Sequence, residues 1–111
     1  MTQKKYYGEG HILKDKVPVL EPDLIKWAIW IENVKNRRIA YNEIGEKRVS
    51  TIFLGLDYNL FNEGPPLFFE TVVFPITDLD KDYCRRYSTW DEAMQGHAEI
   101  CKVLLEGKEL S

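Results

Sequence analysis

Two β-rich runs, Arg48–Asp57 and Leu67–Phe74, flank a stretch that holds Asn59, Asn62, Gly64, Pro65 and Pro66. β-branched and aromatic side chains favour a pleated, half-buried surface, whereas Asn, Gly and Pro favour turns. The segment is therefore expected to double back as a long-looped hairpin at the centre of an antiparallel sheet. In the first run Ile52, Leu54 and Leu56 share one face, opposed by Thr51, Phe53, Gly55 and Asp57, and the aliphatic set is the natural core face. In the second run both faces are apolar apart from Glu70 and Thr71, so alternation alone does not assign them.

The rest of the chain is arranged around that ribbon. Gln3–Tyr7 reads as a short edge strand blunted by Lys4 and Lys5. His11–Leu20 reads as two short extended pieces about a turn at Lys14–Asp15, with Pro18 barring a central strand. Pro22 suits a first helical position, and Leu24, Trp27, Ala28, Ile31 and Val34 then form one stripe. Ile29 falls opposite and Trp30 on the flank, a wider apolar sector than a solvent-facing helix requires. Either protein wraps this helix, or Ile29 and Trp30 touch a partner.

Arg37–Ile44 is expected as a strand, with Ile39 and Tyr41 on one face and Arg38, Ala40 and Asn42 on the other, and Gly45–Lys47 as the turn into the hairpin. Pro75–Asp82 is an acidic loop and Tyr83–Tyr87 a last strand. Thr89 and Glu92 have capping-box spacing. They open a helix whose stripe is Trp90, Ala93, Met94, His97, Ile100, Cys101, Leu104 and Leu105, ended by Gly107. The expected fold is a single α+β domain over residues 1–111, an antiparallel sheet of about four to five strands with two helices packed on one face.

Composition narrows the function classes. With 44% hydrophobic and 30% charged residues, the chain can bury a core without staples. A net charge of -3 disfavours binding to duplex nucleic acid. Cys84 and Cys101 lack metal-ligand spacing and sit among apolar neighbours, where free thiols pack as small hydrophobes. A reduced, cytoplasmic protein is expected. The N-terminal stretch has no apolar signal core, and no apolar run approaches a membrane span.

Several segments are similar to a group of small proteins common in bacteriophage and prophage genomes. They are Trp27-Ala28-x-Trp30-x-Glu32, Val49–Asp57, Gly64–Thr71 with Phe74, Tyr87–Ala93, and Gly96-His97. The likeness covers most of the chain after about Leu20 and is most specific in the hairpin; the basic, aromatic lead-in departs from it. The resemblance implies a phage or prophage origin, hence a host cytoplasm, and implies no activity.

Three groups could carry chemistry. Glu70 lies inside an apolar run, so it must be paired, protonated or facing water; the plainer reading is a carboxylate on the open sheet face or paired with an arginine. Asp57 could join it as a carboxylate pair, or simply bond loop amides. His97, mid-stripe, suits a neutral core histidine better than a catalyst; with Cys101 it offers only half of a zinc site. No cofactor motif is present, and no metal site is assigned. Arg37–Arg38 and Arg85–Arg86 each send one guanidinium to either face, able to read phosphate or carboxylate.

If Glu70 faces away from the helices, the open face shows Phe53, Phe68, Val72 and Phe74 with Arg38, Thr51, Asp57 and Glu70, a patch that a homodimer would cover. The expectation is a non-enzymatic phage-type accessory binding protein, with a possible counter-defence role. It would occupy a host protein or sequester a small anionic nucleotide, using Arg38, Phe53, Asp57, Phe68, Glu70, Phe74 and Arg86. The alternative is a small hydrolase using Asp57, Glu70 and His97, which requires all three in one cleft.

Overall fold

The computed structural model describes residues 9–59, 63–77 and 81–110. The expected edge strand at Gln3–Tyr7, the middle of the hairpin loop and part of the acidic loop lie outside them. The fold is α+β. A hairpin of β1 (His11–Lys14) and β2 (Val17–Leu20) leads into α1 (Leu24–Glu32) and the single turn α2 (Val34–Arg37). Then come β3 (Arg38–Ile44), β4 (Lys47–Phe53), β5 (Phe69–Pro75), β6 (Tyr83–Tyr87) and the long helix α3 (Trp90–Leu105). β3 to β6 form an antiparallel sheet in sequence order.

Local chemistry accounts for the boundaries. Asp15 and Lys16 both take positive φ in the first hairpin, as a two-residue turn matched to strand twist demands. The Asp23 carboxylate accepts from the amides of Ile25 and Lys26, so Asp23 caps α1 and Pro22 stands just outside the helix. Asn33 caps the next turn, so the stripe expected to run on to Val34 is cut at Glu32. Thr89 and Glu92 form a reciprocal capping box at the start of α3.

α3 lies across the sheet and selects its inner face. Val49, Thr51 and Phe53 of β4 and Phe69, Thr71 and Val73 of β5 are fully buried beside Ala93 and Ile100. This reverses the expected parity: Thr51 and Phe53 point into the core, and Ile52 is only half-buried on the other side. A threonine is accepted inside because its hydroxyl is satisfied there. Leu54 and Leu56 lie beyond the end of β4, where alternation no longer applies. Phe68 is also buried, its ring 4.5 Å from His11 and 6.1 Å from Phe53. The open face therefore lacks Phe53, Phe68 and Thr51, and the apolar patch that argued for a sheet-to-sheet homodimer shrinks to Ile52, Val72 and Phe74.

α1 meets the same side of the sheet at its Phe53 end, where Trp30 packs edge-on at 5.7 Å. Gly10 and Gly55 make this possible, because a Cβ on either would stand 2.4 Å from Trp27 or Ile31. The inward residues are Trp27 and Ile31 of the expected stripe, joined by Trp30; Leu24, Ala28 and Val34 of that stripe face outward. In α3, Met94 and Leu105 are exposed, and Gly96 is buried against the Tyr87 ring.

Candidate functional site

The strand register arranges the open face in cross-strand rows. Arg38, Ile52, Glu70 and Arg86 form one row; Tyr41, Ser50, Val72 and Cys84 the next; Glu43, Arg48 and Phe74 the third. A bulge between Arg38 and Ala40 breaks the alternation in β3 and brings Arg38 to the same face as Tyr41.

Three arginines on this face each sit over an aromatic ring: Arg38 over Tyr41 at 4.8 Å, Arg48 over Phe74 at 4.2 Å and Arg86 over Tyr58 at 5.0 Å. A guanidinium held this way is attracted by the ring quadrupole, which fixes its plane over the ring. The Arg48 side chain is further fixed by a bond from Nη2 to the Pro75 carbonyl at 3.3 Å.

Glu70 lies in the middle and is only 7% exposed. Arg86 Nε donates to its Oε2 at 2.9 Å, and the Cys84 thiol donates to the same oxygen at 3.0 Å. Partial desolvation, together with the bond to Glu70 and its charge, pushes the Cys84 thiol up and keeps it protonated. Cys84 is thus exposed beside a carboxylate, not packed among apolar neighbours as expected. Tyr41 donates to Glu43 at 2.8 Å, which raises its phenol's pKa.

The other candidates lie elsewhere. Asp57 Oδ1 accepts from the amides of Asn59 at 2.8 Å and Leu67 at 2.9 Å, and Asn59 Nδ2 donates to the Pro65 carbonyl at 2.9 Å. These two side chains brace the base of the hairpin loop. His97 is buried on the helix side: its Nδ1 is 2.6 Å from Thr51 Oγ1 and its Nε2 2.8 Å from Asn42 Oδ1. Thr51 meets Thr71 at 2.5 Å, and the Tyr87 hydroxyl donates to Thr71 at 3.0 Å. With Tyr87 donating, the chain runs Tyr87 to Thr71 to Thr51 to His97 Nδ1, and Nε2–H donates to Asn42. Burial lowers the His97 pKa, which keeps the ring neutral. Asp57, Glu70 and His97 do not share a cleft, because the sheet separates His97 from Glu70.

Arg85 points to the helix side, where Nη1 meets Glu99 Oε1 at 3.0 Å. A groove of about 510 Å³ beside it is lined by Arg85, Arg86, Ser88, Gln95 and Glu99. Among the described residues no cluster of three His, Cys, Asp or Glu is placed to hold a metal ion, and no helix is long and apolar enough to cross a membrane.

Sequence reasoning missed Tyr41, Arg48, Tyr58 and Cys84. A signal for two of them existed: a two-residue turn at Gly45–Glu46 pairs Ile44 with Lys47, which sets Glu43 opposite Arg48 and Tyr41 opposite Ser50. Tyr58 lies in a loop, and no periodicity could have placed it. Set against known proteins, the chain matches no protein-family model, no curated protein and no solved structure.

Proposed function

We propose that the protein is a non-enzymatic binding protein of phage type, and that the open face of its sheet docks a host-cell protein through acidic side chains of that partner. The observation that carries this reading is the set of three ring-mounted arginines, Arg38, Arg48 and Arg86, on one face of a chain whose net charge is -3. Arginine and aromatic residues are the types enriched in interface hot spots. The face is the outer side of a four-stranded sheet, which suits a macromolecular surface better than the concave pocket a small ligand needs. Occupying a host protein in this way is compatible with a counter-defence role in the host cytoplasm.

A second reading is supported by the same ring–guanidinium pairs. A small anionic nucleotide would stack on the Arg38 guanidinium while its phosphate bonds to it. The test uses the full chain. Host proteins retained by immobilised wild type are compared with those retained by an Arg38→Ala, Arg48→Ala variant of equal thermal stability. The expected result is a retained protein lost in the variant and released as salt rises. Equal retention by both proteins would exclude the sheet face. A thermal-shift screen against cyclic and ADP-ribose-type nucleotides decides the second reading: stabilisation in the wild type that disappears in the variant supports it, and no stabilisation removes it.

A further inference from the structure

We propose that the outer edge of β6 takes up an extended segment of a partner protein as a fifth strand of the sheet, with a carboxylate of that segment seated at Arg86. The inference rests on the docking reading above and gives its acidic partner a backbone form. β6 ends the sheet and pairs with β5 in unbroken register from Tyr83 to Tyr87. The opposite edge, β3, is interrupted by the bulge between Arg38 and Ala40, a device that spoils pairing with a further strand.

Backbone hydrogen bonds show which groups of β6 are left over. In an antiparallel ladder each residue turns its N–H and its C=O to the same neighbour, and successive residues alternate. The Leu54 amide donates to the Phe68 carbonyl at 2.7 Å, and the Ile76 amide to the Glu46 carbonyl at 2.9 Å. Phe68 and Ile76 thus face β4, so Phe69, Thr71 and Val73 face β6, opposite Tyr87, Arg85 and Tyr83. Cys84 and Arg86 lie between these, so each directs an N–H and a C=O away from the sheet, and both residues are exposed. Among the described residues no other backbone group bonds to either of them. Two donor–acceptor pairs spaced about 7 Å along one strand match the backbone of another strand.

The side chains choose the occupant. Antiparallel addition sets one residue of the segment opposite Arg86, the next opposite Arg85 and the third opposite Cys84. The first lies on the open face. Arg86 gives Nε to Glu70 at 2.9 Å, and among the described residues its two terminal nitrogens hold no hydrogen bond, so a carboxylate directly across the strands bonds there. The second turns towards α3, into the groove of about 510 Å³ whose helix wall is Gln95, Gly96 and Glu99. That wall is polar and Gly96 leaves it open, which suits serine or threonine. The third adjoins Cys84 and its row neighbour Val72, which suits an apolar residue. A second copy of β6 fits poorly, because full overlap of two copies sets Arg85 against its own copy, and like charges directly opposite repel.

The test is titration of the isotope-labelled full chain with an acetylated octapeptide, Thr-Val-Thr-Glu-Thr-Val-Thr-Lys, followed by proton–nitrogen correlation spectra. Saturable shifts are expected at the amides of Cys84 and Arg86, and a peptide with lysine in place of its glutamate should bind at least about threefold more weakly. Cys84→Pro removes an N–H that bonds nothing within the molecule. It should keep the far-UV circular dichroism and abolish the shift at Arg86, whereas Cys84→Ala should bind like the wild type. If Cys84→Pro does not fold, N-methylation of the peptide decides. At the glutamate it must abolish binding; at the threonine that follows, whose N–H points away from β6, it must spare it. No saturable shift at either amide, normal binding by Cys84→Pro, or equal effects of the two methylations overturns the proposal. Self-association of the wild type that Cys84→Pro removes would assign the edge to a second copy and overturns it equally. The Arg38→Ala, Arg48→Ala variant should bind the peptide like the wild type, so its host-protein retention tests the docking reading separately.

Discussion

His97 shows how one buried side chain can set the acid limit of a protein. Both of its ring nitrogens are engaged in the neutral form, and a second proton would place two donors, Nδ1–H and the Thr51 hydroxyl, against each other unless the whole chain to Tyr87 reversed. Its folded pKa is lowered from 6.5 by burial, so as pH falls below about 6.5 the unfolded chain takes up the proton first. The stability contributed by neutral His97 is thus complete above about pH 6.5 and is lost as pH falls towards the folded pKa. Urea denaturation at steps from pH 7.5 to 5 should show this slope, flattened in His97→Gln. Glu70 makes a second residue-scale case. Arg86→Ala strands a carboxylate that is nearly buried and should cost about 1–3 kcal/mol. Adding Glu70→Gln should restore part of that loss, because an amide tolerates the site better; urea midpoints of the two variants test it.

At the scale of elements, two close approaches decide how the helices sit. Gly96 of α3 lies against the buried Tyr87 ring, where an added Cβ would come within 2.2 Å of Cε1. Gly96→Ala gains about 1 kcal/mol of helix propensity. It also forces Tyr87 to move and to give up its bond to Thr71, an overpacking cost of about 1–3 kcal/mol. The net effect should be a lower melting temperature, measured by circular dichroism, against the direction that propensity alone would give. Gly55, at φ +80° and with Ile31 Cδ1 2.4 Å from where its Cβ would lie, plays the same part for α1. Neither glycine advertises this in the sequence, since the partner ring or methyl arrives from a distant segment.

The whole molecule is unevenly supported. β4 and β5 are central strands lined by fully buried side chains, whereas α1 has none and rests on the sheet through three half-buried residues. Local opening follows that difference, so native-state hydrogen exchange of dilute protein should show the amides of α1 opening at much lower free energy than those of β4 and β5. Equal protection in both would mean that the first hairpin and α1 unfold only together with the sheet.

The amino-acid sequence alone determined the order of the described strands and of the helices α1 and α3, because periodicity, capping residues and turn formers act within a few residues of one another. The capping box at Thr89 and the last strand at Tyr83–Tyr87 were legible to the residue. The α+β class and the placement of helices on one face followed from two apolar stripes that needed cover. Only the tertiary structure decided which side of β4 is core, since Thr51 is admissible inside only when Thr71 and His97 meet its hydroxyl. It alone decided which side of α1 turns inward, since two glycines far apart in the chain make room for Trp27 and Ile31. Burial is a property of what arrives from elsewhere in the chain, and the candidate site depends on that choice of faces.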